Sequence, residues 1–375
     1  MSVGIWQTPD DQRPIQSVKT LIIGAGIIGS YLALRLNADL VLDARHVAGG
    51  ASGRNGGLLL TGIANSYTAA CKAYGRERTK ALWSATIRNR ELMIEWATRL
   101  GTPVRRCGSF IFGYSEAEQA ELAQAVELMH EDGFEATWLE QDPFKRGFYG
   151  AIHNPNDGSI QPALLTAALL NASGARVETA CEVYSVESHD NGVLVRSRNG
   201  AFLAQQVIIA TNAWTGLLLP EFADLIVPAR GQVLATAPTA MIFPHAAYCD
   251  YGFIYFQQTA EGRLVLGGFR NHAFEQEHTF ADTTTPLIQT KLDLFLHRHF
   301  PELRDVPIER RWSGTMGFTR DHLPLIGTLP HDERIACAVG FSGHGLGMGM
   351  VVCEELINVL NGGTAELFAL GRMLG

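Results

Sequence analysis

Three glycines, Gly24, Gly26 and Gly29, follow one short apolar run and open another in VKTLIIGAGIIG (Val18–Gly29). That spacing suits a dinucleotide pyrophosphate. Gly24 permits a tight turn, Gly26 brings a phosphate against bare backbone, and Gly29 lets a helix pack close to a strand. The phosphates then sit on the helix N-terminus at Ile27, where unpaired N–H groups and the helix dipole favour negative charge. Asp43 ends the next apolar segment, Leu40–Leu42, with Ala44 and Arg45 beside it, and its carboxylate can accept hydrogen bonds from an adenosine ribose. Strand, turn, helix, strand and acid in this order mark a dinucleotide site.

A second cluster, GGASGRNGG (Gly49–Gly57), bears on which dinucleotide it is. An NAD site needs no such loop after the ribose acid, whereas a backbone with few side chains can lie against a flat ring system and its ribityl chain. Gly50, Ala51, Ser52, Arg54, Asn55, Gly56, Gly57 and Leu58 are therefore assigned to FAD, with a flexible surface loop as the plainer alternative. Towards the C-terminus, RWSGTMGFTRDHLPLIG (Arg311–Gly327) and AVGFSGHGLGMG (Ala338–Gly349) precede a helical pattern of Val351, Val352, Leu356, Val359 and Leu360. A glycine turn feeding a helix offers a second positive helix end, which against a flavin would stabilise the charge that appears on reduction. Gly314, Gly343, His344, Gly345, Leu346 and Gly347 are the residues so placed; the same glycines would also suit a tight strand-to-helix crossing.

These residues need a large frame. The chain has 375 residues, 46% hydrophobic and 18% charged, enough for two domains around sizeable cores. A net charge of −8 argues against nucleic acid or an anionic membrane as partner. Cys71, Cys107, Cys181, Cys249, Cys337 and Cys353 form no CxxC pair and read as free thiols in a reducing cytoplasm. The polar start, MSVGIWQTPDDQRPIQ, lacks the pattern of a signal peptide, and no apolar run has the roughly eighteen residues of a membrane span. A helix is expected over 76–100, with Trp83, Ile87, Ile94 and Ala97 along one face, then a strand at 108–113 and a capping box, Ser115 to Glu118, opening a helix with Leu122, Val126 and Met129. Further on come a helix over 163–172 stopped by Gly174, strands at 176–183, 193–197 and 206–210, and a helix over 287–299.

Taken in order, these motifs, with Ala210-Thr211-Asn212-Ala213, Arg230-Gly231-Gln232 and Arg263–Gly268 (RLVLGG), resemble the D-amino-acid oxidase superfamily. Within it, the chain is most similar to the glycine oxidase, sarcosine oxidase and gamma-glutamylputrescine oxidase group. The resemblance implies a mixed α/β and α+β fold: a Rossmann-like FAD domain (1–92, 154–227 and 310–375) and a discontinuous, mainly antiparallel β-sheet substrate domain (93–153 and 228–309), with the flavin between them. It adds Val183, Thr211, Asn212 and Trp214 to the cofactor residues. The implied reaction passes hydride from the carbon of a small-molecule amine to the flavin, after which the imine hydrolyses and O2 or another acceptor reoxidises the cofactor. Two other readings stand beside it: a D-amino-acid or 2-hydroxy-acid dehydrogenase of the same fold that reduces a quinone, and a flavoprotein without turnover.

On the substrate side, His344 either takes part in catalysis or only hydrogen-bonds the cofactor and backbone. Tyr251 and Tyr255 alternate with Phe253 on an expected strand and line the pocket or pack in the core. His297 and His299 read as solvated surface, with no cluster to hold a metal. Relatives place a carboxylate-binding arginine where this chain has Met316, a carboxylate-binding lysine at Gly347, an oxygen-activating lysine at Val265 and a flavin-linking cysteine at Gly314. The lysines, Lys19, Lys72, Lys80, Lys145 and Lys291, fall in none of these motifs. The resemblance thus implies non-covalent FAD and a primary or secondary amine, such as a polyamine conjugate, not gripped by an α-carboxylate. Arg54, Arg230 and Arg270 are the arginines that could replace the missing anchor.

Overall fold

A computed structural model of the chain describes residues 14–373; the polar start up to position 13 lies outside the described residues. The strand Ile15–Ile23 lies at the heart of an eight-stranded sheet, parallel to Leu40–Leu42 on one side and Ala201–Ile209 on the other. Leu21 and Ile23 enter one hydrophobic core and Ile22 enters another, because successive residues of a strand point to opposite faces. Both faces are covered at Leu21–Ile23, which is why the end of the strand reads as an unbroken apolar run while its polar start is more exposed. The helix Ile27–Leu36 ends at Asn37, which takes the left-handed conformation (φ 50°). It packs against Pro162–Ser173 and Gly345–Leu360, and the latter in turn against Arg76–Arg99.

A second eight-stranded sheet runs in the order Ile308–Phe318, Val227–Thr236, Leu264–Gly268, Ile254–Gln258, Ala246–Cys249, Ser109–Phe112, Ala151–Asn154 and Thr137–Leu139. All neighbours are antiparallel except Ala246–Cys249 beside Ser109–Phe112. One face carries a phenylalanine-rich core, with Phe110, Phe112, Phe256 and Phe295 among its members. Ile254 and Phe256 enter that core, so Tyr255 between them must face the other way, where it joins Tyr248 against Leu58 and Leu60. A small sheet of Leu58–Leu59, Gly158–Ile160 and Val104–Arg105 follows the glycine loop.

Three expectations need correction. The strand expected over 176–183 is two strands at opposite edges of the first sheet, Arg176–Glu178 and Val183–His189, because the residues between them cross over the Asp43 turn, with Ala180 donating to the Arg45 carbonyl and Cys181 to that of Asp43. Tyr251 lies in a turn ahead of the strand Ile254–Gln258, with φ 53°. His299 is 1% exposed, not solvated: it shares a helix face with Phe295 and Leu296, stacks on Phe148 at 4.5 Å, and its Nδ1 pairs with the Arg146 carbonyl. His297 stays exposed. The helix Arg76–Arg99 is continuous across positions 92 and 93, and Ile308–Phe318 pairs with Val227–Thr236 in the second sheet through position 318. We propose that the two sheets define the domains, with the last crossing after Phe318.

The six cysteines are free, and among the described residues no helix is long and apolar enough to cross a membrane.

Candidate active site

A cavity of about 860 Å3 runs between the two sheets, from the first glycine turn to the turn before the last helix. Every residue singled out from the sequence as binding or catalytic lines it, except Gly29 and Gly57. Those two act behind the wall. A Cβ on Gly29 would lie 1.9 Å from the Gly24 carbonyl oxygen, and one on Gly57 would lie 2.5 Å from that of Ile160.

At one end, the Asp43 carboxylate accepts the Ala25 and Arg45 N–H groups at 2.7 Å each, so it braces the first turn against its own. Ser52 Oγ accepts the Ile27 N–H at 2.8 Å, and a Cβ on Gly26 would lie 2.9 Å from it. The helix therefore begins at a bare backbone, with no acidic residue in its first turn to offset the dipole. Arg45 lies over the Trp214 ring at 4.9 Å. Asn212, with φ 46°, accepts the Gly340 and Phe341 N–H groups through Oδ1 and ties its turn to the C-terminal one.

In the middle, Arg54 donates to the Gly49 and Ser313 carbonyls and pairs with Asp282, while Trp312 Nε1 donates to the Arg54 carbonyl. The guanidinium thus holds the glycine loop to the strand Ile308–Phe318. Gln257 Nε2 reaches the Gly56 carbonyl from the second sheet at 2.7 Å.

At the far end, Tyr255 pairs across the sheet with Gly267, where a Cβ would lie 2.5 Å from its ring. Met316 sits between Gly231 and Gly343: added Cβ atoms there would meet its Cε at 3.1 Å and its Sδ at 3.4 Å. His344 precedes the helix Gly345–Leu360, and its Nδ1 contacts the Ser342 carbonyl at 3.1 Å. Burial holds the pKa of this imidazole below the usual histidine range, which favours its neutral form. Burial likewise pushes the Tyr255 hydroxyl up to about 12. Tyr251 is 49% exposed at the cavity mouth, its N–H donated to the buried carboxylate of Glu118.

Three residues of this wall carry roles that the sequence does not assign. Tyr248 faces Tyr255 and His344, each at 6.4 Å between ring centres, a placement visible only once the two tyrosine strands are paired in register. Glu118 reads in the sequence as a capping-box partner. It accepts the Tyr114 and Tyr251 N–H groups instead of the Ser115 N–H, and burial raises its pKa. Asp157, on the cavity floor, is bound by Arg90, Thr61 and Ser109. Of the replacement anchors, Arg230 is buried in an ion pair with Glu277 and lies off the cavity, whereas Arg270 lines it. Val265, where relatives place the oxygen-activating lysine, does not line the cavity.

The sequence matches the profile of the DAO family, FAD dependent oxidoreductase, over residues 19–358. The chain belongs to this family. It is 28% identical to gamma-glutamylputrescine oxidoreductase of Escherichia coli (strain K12), in an alignment covering 92% of this chain and 84% of that protein. Glycine oxidase of Bacillus subtilis (strain 168) is 23% identical, over 88% of this chain and 89% of that one. The solved glycine oxidase of Geobacillus kaustophilus superposes with a TM-score of 0.82 over 96% of this chain and all of that chain, at 20% identity, and so shares the fold. The family resemblance read from the motifs is correct, and the protein is an FAD-dependent oxidoreductase. The cavity fits that cofactor. It joins the bare helix end at Gly26 to the glycine loop and then to the Ser342–Gly345 turn, a length a single nucleotide would not need.

Replacing Asp43 with alanine removes a charged acceptor, worth about 1.5–3 kcal/mol per hydrogen bond to an ionised group. FAD affinity of the apoprotein should fall by tenfold or more, read by titrating FAD and following flavin fluorescence. An unchanged dissociation constant would separate Asp43 from nucleotide binding.

Proposed function

We propose that the protein oxidises the C–N bond of a primary or secondary amine, a polyamine conjugate or an N-substituted amino compound, using FAD held without a covalent bond. The observation that carries this reading is the cavity wall that Tyr248, Tyr255 and Met316 form with the buried imidazole of His344. An ammonium desolvated against such a wall loses its proton more readily, and only the neutral amine can give up hydride from its adjacent carbon. When bound, FAD supplies the hydride acceptor, and water hydrolyses the resulting substrate imine to a carbonyl compound and an amine. Tyr255 and Met316 would orient the reacting carbon, and His344, lacking a proton on one nitrogen, can accept a hydrogen bond from the amine. Gly314, where relatives place the flavin-linking cysteine, has no nucleophile to offer. The relatives named for putrescine conjugates and glycine support an amine or amino-acid substrate.

The test is an anaerobic screen of polyamines, N-alkyl glycines, glycine and D-amino acids against the purified holoenzyme. At least one amine should bleach the flavin, and acid precipitation should release all of it from the chain. If 2-hydroxy acids bleach it and amines do not, the reaction has been misassigned; if nothing does, the protein is a flavin carrier. Peroxide released on readmitting air, or dye reduced without peroxide, identifies the electron acceptor.

A further inference from the structure

Beyond the corner at Tyr255 and Met316 the cavity continues along the second sheet, where no glycine motif lies. Its floor there is a row of residues paired directly across four strands: Tyr255 with Tyr248, Tyr248 with Ile111, and Ile111 with Ile152. Directly paired residues project from the same face of a sheet, and all four of these line the cavity. At about 4.8 Å between strands, three steps carry the floor about 14 Å from Tyr255.

The roof is the helix Glu116–Glu131. Leu122, Ala125 and Met129, spaced three and four apart, share one face of it, and they line the cavity as well. Exposure is 5% at Leu122, 2% at Ala125, 4% at Met129 and 6% at Ile152, so this is an interior arm and not a surface groove. Its aliphatic walls bring no charge and no hydrogen-bonding group. The polar side chains beside it are already engaged: Ser109 donates to Asp157, Glu121 accepts from Ser66, and Glu118 holds the Tyr251 N–H at the cavity mouth. No residue assigned to the cofactor lies on this helix or on the strands Ser109–Phe112 and Ala151–Asn154, which leaves the arm to the substrate.

We propose that the arm is a subsite for an extended apolar chain on the substrate, and that Ala125 sets how long a chain it accepts. This rests on the amine reading above and narrows it to amines that carry such a chain. Each methylene that enters exchanges water for a wall of carbon. Ala125 is the smallest side chain of the roof, so bulk added there closes the arm partway along.

Linear 1-alkanols, from propanol to nonanol, test the arm on the holoenzyme without turnover, by perturbation of the flavin absorbance. Affinity should rise about fourfold with each added methylene and then stop rising at the length that fills the arm. Ala125→Leu should retain FAD, move that limit to shorter chains and weaken the longest alkanols about tenfold or more. Met129→Ala, which removes bulk from the same roof, should move the limit to longer chains, so the two variants report in opposite directions. The proposal is overturned if affinity does not depend on chain length, or if the limit is the same in the wild type and in both variants, since the chain then lies elsewhere. Should the alkanols show the limit and its shifts while no amine bleaches the flavin, the arm stands and the amine reading falls. Should an amine bleach the flavin while alkanol affinity is indifferent to chain length, the amine reading stands and the arm falls.

Discussion

Gly29→Ala should yield a protein that no longer retains FAD. The added methyl would lie 1.9 Å from the Gly24 carbonyl oxygen and 3.2 Å from Ile22 Cγ2, and the first of these is backbone that cannot swing aside. Either the helix Ile27–Leu36 moves off the strand or the Gly24 turn opens, and both displace the N–H groups of the helix start that line the cavity. Overpacking by a single methylene costs about 1–3 kcal/mol in a core that can yield; a contact against fixed backbone belongs at or above the upper end. FAD affinity should therefore drop about a hundredfold, equivalent to about 2.7 kcal/mol, with a lower thermal midpoint for the apoprotein. Gly200→Ala, where the methyl would meet nothing within 4 Å, provides the control and should behave as the wild type. Stoichiometric FAD at wild-type affinity in Gly29→Ala would show that the turn does not depend on this close approach.

The buried network beneath the cavity should matter comparably for stability. Asp157 is 2% exposed and Arg90 6%; their charges meet at 3.0 Å, and Asp157 also accepts the Thr61 hydroxyl at 2.7 Å and the Ser109 hydroxyl at 2.6 Å. Asp157→Ala takes the buried acceptor from the Thr61 N–H, the Thr61 and Ser109 hydroxyls and one edge of the Arg90 guanidinium, which keeps only the half-exposed Glu91 as counter-ion, a loss of about 3 kcal/mol. Chemical denaturation followed by tryptophan fluorescence should show it as a lower midpoint. Arg90→Met combined with Asp157→Leu should recover part of the loss, because a removed pair leaves no orphaned charge. A single variant within about 1 kcal/mol of the wild type, or a double variant no better than Asp157→Ala, would mean that water reaches the site.

What the sequence determined by itself is the end of the cavity built from the two glycine turns. Gly24, Gly26, Gly29, Asp43 and the loop from Gly49 to Gly57 act through turn geometry, close approach and helix ends, all properties of a few consecutive residues, and so the motif carries its chemistry with it. The helices Arg76–Arg99 and Pro162–Ser173 were legible for the same reason, since their spacing and caps are local. The opposite end, around Tyr255 and Met316, was decided by tertiary structure. Tyr255 faces the cavity because Ile254 and Phe256 are claimed by the core below, and Tyr248 joins it through cross-strand register. His299 is buried by Phe148, which lies far from it in sequence, and Val265 misses the cavity that its motif suggested. Met316 stands where relatives place an arginine, and of the three arginines that could replace it Arg270 lies over Phe318 in the same wall while Arg230 lies off the cavity. Strand register and the aim of a side chain depend on contacts between distant segments, and no local pattern of residues encodes where such segments meet.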